Sequence, residues 1–210
     1  MFKVLGEPML EWVLSACEQA ELSRICVVTG YESQQIEAYL GNRCRTAYQA
    51  ERLGTGHAVM QTISFLEEDK DGSTLVLCGD APFIDSKTIS ESLERHIQEK
   101  NAVTVITASV PQPFGYGRIL RTDSGIAGII EEKDATDAQR QITEISSGCY
   151  WFRTADLISL LGQIQNNNAQ NEYYLTDTIS VLKSEGKRVD SKRCRNISEY
   201  VYKRTGCHPT

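Results

Sequence analysis

Two short runs, Thr74-Leu75-Val76-Leu77-Cys78 and Val103-Thr104-Val105-Ile106, are apolar on both faces. Such a pattern suits a strand covered on both sides, as in a parallel sheet flanked by helices. A third run, Ile25-Cys26-Val27-Val28, is closed by Thr29-Gly30. Leu10, Val13, Leu14 and Cys17 keep the i, i+3, i+4, i+7 spacing of one helical face. Ile36, Tyr39 and Leu40 suit a short helix, Val59, Ile63 and Leu66 a longer one, and Ile89, Leu93 and Ile97 another. Strands and helices alternating at this spacing predict an α/β chain with a mostly parallel sheet covered on both sides.

After residue 110 the rhythm changes. Residues 115–120, 126–130 and 149–152 read as strands with no long helix between them, an inserted β region within the same domain. Two helices close the pattern, with faces at Leu157, Leu160, Leu161 and Ile164 and at Leu175, Ile179 and Leu182.

Composition narrows the class of function. A 40% apolar, 24% charged chain is globular, and no run of about 18 apolar residues is present to cross a membrane. The first residues carry no apolar segment of secretory type, so the expected location is the cytoplasm. A net charge of 22 − 28 = −6 argues against a protein held on nucleic acid by bulk electrostatics. Seven cysteines, an odd number without a C-x-x-C pair, form neither a disulfide ladder nor a zinc site. They are expected to pack as small apolar side chains.

Chemistry concentrates in a few segments. The strand ending at Cys78 runs into Gly79-Asp80-Ala81-Pro82. In open α/β sheets ligands bind beyond the carboxyl ends of strands, where Asp80 could be a hard oxygen ligand for Mg²⁺ or merely the cap of a turn. The stretch 49–58, QAERLGTGHA, sets two glycines around Thr55 just before a helical pattern. It reads equally as a loop offering N–H groups to a ligand or as an ordinary helix start capped by Thr55. His57, in the first turn, is expected to be structural. The run Glu131-Glu132-Lys133-Asp134 and the amide-rich stretch 166–177 are weak signals alone. Neither G-x-G-x-x-G nor G-x-x-x-x-G-K-[ST] is present, which ranks a dehydrogenase or a P-loop enzyme low.

Taken together and in order, GEPMLEWVL, QAERLGTGHAVM, LVLCGDAP, FGYGRILR, IIEEKDAT and NAQNEYYLTD carry a resemblance. The chain resembles the uridylyltransferase domain of bacterial bifunctional N-acetylglucosamine-1-phosphate uridylyltransferase/glucosamine-1-phosphate acetyltransferase, from about residue 4 to about residue 190. The resemblance implies a Rossmann-like, three-layer nucleotidyltransferase (nucleotide-diphospho-sugar transferase) fold. It also implies transfer of UMP from UTP to N-acetylglucosamine 1-phosphate, giving UDP-N-acetylglucosamine and pyrophosphate. By the family pattern Asp80 is the catalytic Mg²⁺ ligand, and Gln49 reads the uracil edge with Gly54 and Thr55 beside the base. Gly117, Glu131 and Thr176 line the sugar pocket with Tyr174 nearby, while Glu132 and Asp134 stay solvated. Ser146 stands where the family has Asn, and its hydroxyl reaches less far.

The departures carry expectations of their own. The family begins with a strand and a glycine-rich loop that wraps the triphosphate, and this chain has no match to either; Lys3 is not that loop's lysine. The expected domain therefore spans 1–190 and is incomplete at its N-terminus, followed by a basic tail over 191–210. Residues 187–210 hold seven Lys/Arg against two Asp/Glu, and are expected to be out of frame or truncated. The acetyltransferase domain is absent, so a homo-oligomer is expected only of a full-length form. The alternative to an active transferase is a catalytically weak or inactive nucleotide-sugar-binding fragment, and little turnover is expected of this chain, because each lost phosphate-neutralising cation costs orders of magnitude in rate.

Overall fold

The computed structural model describes residues 2–81 and 84–194. A two-residue hairpin, β1 (Lys3–Val4) and β2 (Glu7–Pro8), leads into α1 (Met9–Gln19), β3 (Cys26–Thr29), α2 (Ser33–Leu40), β4 (Arg45–Tyr48), α3 (Thr55–Met60), α4 (Ile63–Glu67) and β5 (Ser73–Val76). Then follow α5 (Ser86–Gln98), β6 (Val103–Ser109), β7 (Arg118–Thr122), β8 (Gly125–Ile130) and α6 (Asp137–Arg140). The chain ends in β9 (Glu144–Arg153), α7 (Thr154–Leu161), α8 (Asp177–Ser184) and β10 (Val189–Arg193).

The main sheet is organised by β9. Along one edge β9 pairs antiparallel with β6, which pairs parallel with β10 on its far side. The other edge is shared: β5 takes Tyr150–Arg153, and β7 meets Ile145 and continues into its hairpin with β8. The sheet therefore forks between residues 145 and 150. Gly148 sits at the fork with φ +78°, and a Cβ there would lie 2.8 Å from Cys78 Sγ. The fork closes this tightly only on a glycine.

Three layers result from simple alternation. Tyr150 and Phe152 of β9 face a core built with Val103, Val105, Leu157, Leu160 and Ile179, while Cys149 and Trp151 face one with Cys17, Ile89 and Ile106. The α/β class holds, but the sheet is mixed rather than mostly parallel. The inserted hairpin and β9 pair antiparallel, and among the described residues only β3–β4 and β10–β6 are parallel pairs. Both-face burial of β6 misled here, because an antiparallel strand covered on two sides looks the same in sequence.

Several elements differ in detail. The expected long helix through Val59, Ile63 and Leu66 is two, broken where the Thr62 hydroxyl donates back to Val59 O at 2.7 Å. In α5, Ile97 is exposed while Ser92 and His96 are buried. Their polar atoms meet Trp151 Nε1 (3.0 Å from Ser92 Oγ) and Thr104 Oγ1 (3.0 Å from His96 Nδ1). Burial pushes the His96 imidazole down to about 4, so it stays neutral. Residues expected to open a basic tail instead form β10, so the expected boundary at 190 falls inside a strand. Arg193 and Lys192 pair there with Glu144 and Glu91. The remainder of that stretch, from residue 195, lies outside the described residues, as does Pro82. Cys17, Cys26, Cys44, Cys149 and Cys194 are free thiols, and Cys78 Sγ lies 3.5 Å from Gly148 O; Cys207 lies outside the described residues. No helix among the described residues is long and apolar enough to cross a membrane.

Candidate functional site

A cavity of about 1240 Å³ opens between β3 and β5 and runs to the fork of the sheet. Among the described residues β3 pairs only with β4, and β5 only with β9, so the facing edges of β3 and β5 border the cavity without a strand between them. At their N-terminal ends Arg24 bridges to Glu68 (3.0 Å) and Asp69 (3.4 Å), which orients both strands the same way. Beyond their C-terminal ends, Gly30 after β3 and Asp80 after β5 both line the cavity.

Four of the residues expected in the sugar pocket form one continuous patch of its wall. Thr176 Oγ1 donates to Glu131 Oε1 at 2.9 Å, and Gly117 lies against the same carboxylate, since a Cβ there would be 3.4 Å from Oε2. Ser146 N donates to Gly117 O at 2.9 Å, and its hydroxyl bonds the buried Tyr150 hydroxyl at 2.7 Å. Burial lifts the Glu131 carboxyl above its usual range, and Asp177 and Asp134 nearby push the same way against the Thr176 bond. A half-desolvated carboxylate of this kind is a strong acceptor for ligand hydroxyls. Tyr174 is not on the wall: it is buried, and its hydroxyl accepts from Gln170 Nε2 at 2.8 Å.

The opposite wall carries Gln49 and Thr55. Gly54, not Thr55, is the N-cap of α3, so the expected side-chain cap does not form. Gly54 has φ +105°, and a Cβ on it would stand 2.7 Å from Tyr173 O and 2.9 Å from Tyr173 N. A Cβ on Gly56 would strike Ile164 Cδ1. The glycines are therefore needed for the approach of the 172–175 backbone rather than to expose N–H groups. That backbone zips onto the loop through Gly56 N to Tyr173 O (2.7 Å), Tyr173 N to Leu53 O (2.7 Å) and Leu175 N to Thr55 Oγ1 (3.1 Å). Gly54 itself is set back from the cavity, its carbonyl accepting from Gln49 Nε2 at 3.2 Å.

Asp80 stands exposed on the cavity rim beyond β5. Among the described residues no group of three or more metal-ligating side chains gathers, so there is no all-protein cage. Mg²⁺ does not require one, because it keeps waters and binds through one or two carboxylates plus substrate phosphates, and Asp80 fits that donor set. Among the described residues cations on the wall are few: Arg24, already paired with Glu68 and Asp69, and the exposed Arg52.

Two residues expected to stay solvated, Glu132 and Asp134, are half-buried and held. Glu132 is not solvated: it pairs with Arg118 (2.5 Å) and Arg140 (3.7 Å), and Arg118 is itself only 1% exposed. This pair clamps the loop before β7 to the end of β8, fixing Gly117 and Glu131 relative to one another. Asp134 likewise accepts from Ala169 N at 2.9 Å, tying that turn to the amide-rich loop.

Comparison with known proteins supplies the context. The pattern of the family described as "Nucleotidyl transferase" matches residues 1–195. "Bifunctional protein GlmU" of Acetivibrio thermocellus is 42% identical over 200 residues, which are 95% of this chain and 43% of that protein. The proteins of the same name from Geobacillus sp. and Limosilactobacillus reuteri are 41% and 42% identical, covering 43% and 44% of their lengths. The chain thus spans less than half the length of the curated relatives it matches. Among solved structures, a putative glucose-1-phosphate thymidylyltransferase from Bacillus anthracis in complex with a sucrose superposes with a TM-score of 0.74 at 18% identity. That match covers 92% of this chain and 76% of the other, and it bears on the fold alone.

Proposed function

The chain belongs to the nucleotidyl transferase family, and on that premise we propose that it binds UTP and N-acetylglucosamine 1-phosphate and joins them as UDP-N-acetylglucosamine with release of pyrophosphate. One observation carries the reading. The loop holding Gln49 and Thr55 is zipped to the loop holding Thr176, so a base-type wall and a hydroxyl-accepting wall face one cavity. The resemblance around these residues, in GTGHAVM, GYGRI, EEKDAT and EYYLTD, points to the uridine and N-acetylglucosamine pair within the family.

The chemistry is an in-line displacement. The sugar phosphate oxygen attacks the α-phosphorus of UTP, the bond to the bridging oxygen breaks, and pyrophosphate departs with that electron pair. The chain's part is positioning. Glu131 and Thr176 hold the sugar hydroxyls, Ser146 and Gly117 shape the pocket around them, and Gln49 fixes the base. Asp80 is the residue to hold Mg²⁺, which when bound would neutralise phosphate charge. By the same reading the protein serves peptidoglycan precursor synthesis in the cytoplasm, with nucleotide and sugar phosphate rather than nucleic acid or membrane as its partners.

A second reading, a weakly active nucleotide-sugar-binding protein, is supported by the cation-poor wall, where Arg52 is the one described arginine without an ion pair holding it elsewhere. Pyrophosphate release with UTP and N-acetylglucosamine 1-phosphate, run beside calorimetric binding of each, separates the two. Turnover establishes the transferase, binding of both substrates without turnover leaves the second reading, and binding of neither refutes both.

A further inference from the structure

We propose that His57 is a positioning residue that locks the Gln49 amide with its oxygen free for a ligand N–H, making the site select uridine over cytidine. The inference rests on the uridine reading above and deepens it.

The carbonyl of Gly54 can only accept, and it lies 3.2 Å from the side-chain nitrogen of Gln49, so the amide must turn its NH₂ that way. The same nitrogen lies 3.0 Å from His57 Nδ1. Its second hydrogen therefore goes to Nδ1, which must be an acceptor, and the imidazole must be neutral with its proton on Nε2. On the far side of the ring Gln61 Nε2 lies 3.4 Å from His57 Nε2, but it already donates to His57 O at 3.0 Å. Two donors then face each other across the longer distance, so that contact is not a hydrogen bond. The ring is held besides by Tyr173, its centroid 6.2 Å away.

With both amide hydrogens occupied, Gln49 Oε1 has no hydrogen bond among the described residues, and Gln49 lines the cavity. A nucleobase with an N–H at N3, such as uracil, matches that oxygen. Cytosine presents an acceptor at N3, and the two lone pairs repel. Without His57 only the bond to Gly54 O would oppose rotation of the amide, and the rotated amide would offer NH₂ to the N3 acceptor of cytosine. Discrimination by a hydrogen-bonding site is strong because the wrong partner leaves buried polar groups unpaired.

The test is calorimetric titration of the full chain with UTP and with CTP, each with Mg²⁺. Wild type should prefer UTP by at least about tenfold, the effect of one well-placed bond plus one repulsion. His57→Leu should bring the two affinities within about threefold, and His57→Asn, whose side-chain oxygen can accept near the Nδ1 position, should restore the preference. Preference retained by His57→Leu overturns the proposal, as does its loss in His57→Asn to the same degree. Should either variant fail to fold, ¹⁵N spectra of the wild-type imidazole decide: a proton on Nε2 with unprotonated Nδ1 is expected, and the opposite tautomer refutes it. Equal binding of UTP and CTP by wild type removes the uridine reading itself, an outcome distinct from all of these.

Discussion

Gly54→Ala is the sharpest test of how the two walls are joined. A Cβ at this residue meets backbone on two sides, Tyr173 O at 2.7 Å and Tyr173 N at 2.9 Å, and neither can swing away as a side chain would. The backbone conformation, φ +105° and ψ 176°, lies in a region essentially reserved for glycine and costs about 1–3 kcal/mol for any other residue. Forcing an extra methyl into a packed site adds about 1–3 kcal/mol. The lower halves of these ranges already sum to about 3 kcal/mol, which lowers the melting temperature of a chain this size by about 6–12 °C. Gly186→Ala is the control, because Gly186 also has positive φ (+69°) but open space around it. It should cost only about 1–2 kcal/mol, the conformational part alone. Thermal denaturation of both variants, with UTP titrated into each, reads the difference. If Gly54→Ala melts no lower than Gly186→Ala and binds UTP as wild type does, the tight approach of loop 172–175 is not what the glycine serves.

Three further outcomes follow from the site and the sheet. Glu144 is buried, which alone would raise its carboxyl, but hydrogen bonds from Arg121 and Thr107 and the charges of Arg121 and Arg193 outweigh this and hold it at about 2. Because the folded value lies below the unfolded one, its stabilisation is full above about pH 4.5 and is lost as pH falls toward 2; Glu144→Gln should lower the melting temperature at pH 7 and flatten the acid limb of the unfolding curve. Glu131→Gln should go the other way in stability: its raised carboxyl is a cost at neutral pH, so the melting temperature should hold or rise, while affinity for the sugar phosphate drops by about tenfold with the charged acceptor gone. Asp80→Asn should cut pyrophosphate release by about a hundredfold or more while circular dichroism stays unchanged, and equal turnover would remove Asp80 from the chemistry.

What the sequence disclosed and what it concealed divide along a physical line. Segments with a regular apolar pattern announce themselves, so α1, β3, β6 and α7 stand where apolar spacing puts them. Elements that are polar or half-exposed do not. Arg45–Tyr48 forms β4 with little apolar signal, and β10 is an edge strand, Val-Asp-Ser-Lys-Arg, whose side chains are ordered by ion pairs with other elements. Charge runs behave similarly: Glu132 looks solvated until Arg118, fourteen residues earlier, is brought onto it by the β7–β8 hairpin. In the candidate site, the motifs pointed to Gln49, Gly117, Glu131 and Thr176, which line the cavity, but not to why the two glycines are there. The contact that decides it, Tyr173 against Gly54 and Gly56, joins residues more than a hundred positions apart. His57 could have been noticed through its spacing of eight from Gln49, yet nothing in sequence says that an imidazole in a helix's first turn faces back to the strand end.

The zip between residues 53–56 and 172–175 makes the halves of the cavity parts of one body. Two main-chain hydrogen bonds and one from Leu175 N to the Thr55 hydroxyl tie the loop beside Gln49 to the loop that carries Thr176, so order imposed on either is inherited by the other. On the proposed function this is a heterotropic coupling device. Whatever factor a bound nucleotide contributes to sugar-phosphate affinity, a bound sugar phosphate must return to the nucleotide, because the cycle through the ternary complex has to close. Each of the proposed substrates would thereby share in the entropy of ordering the other's wall.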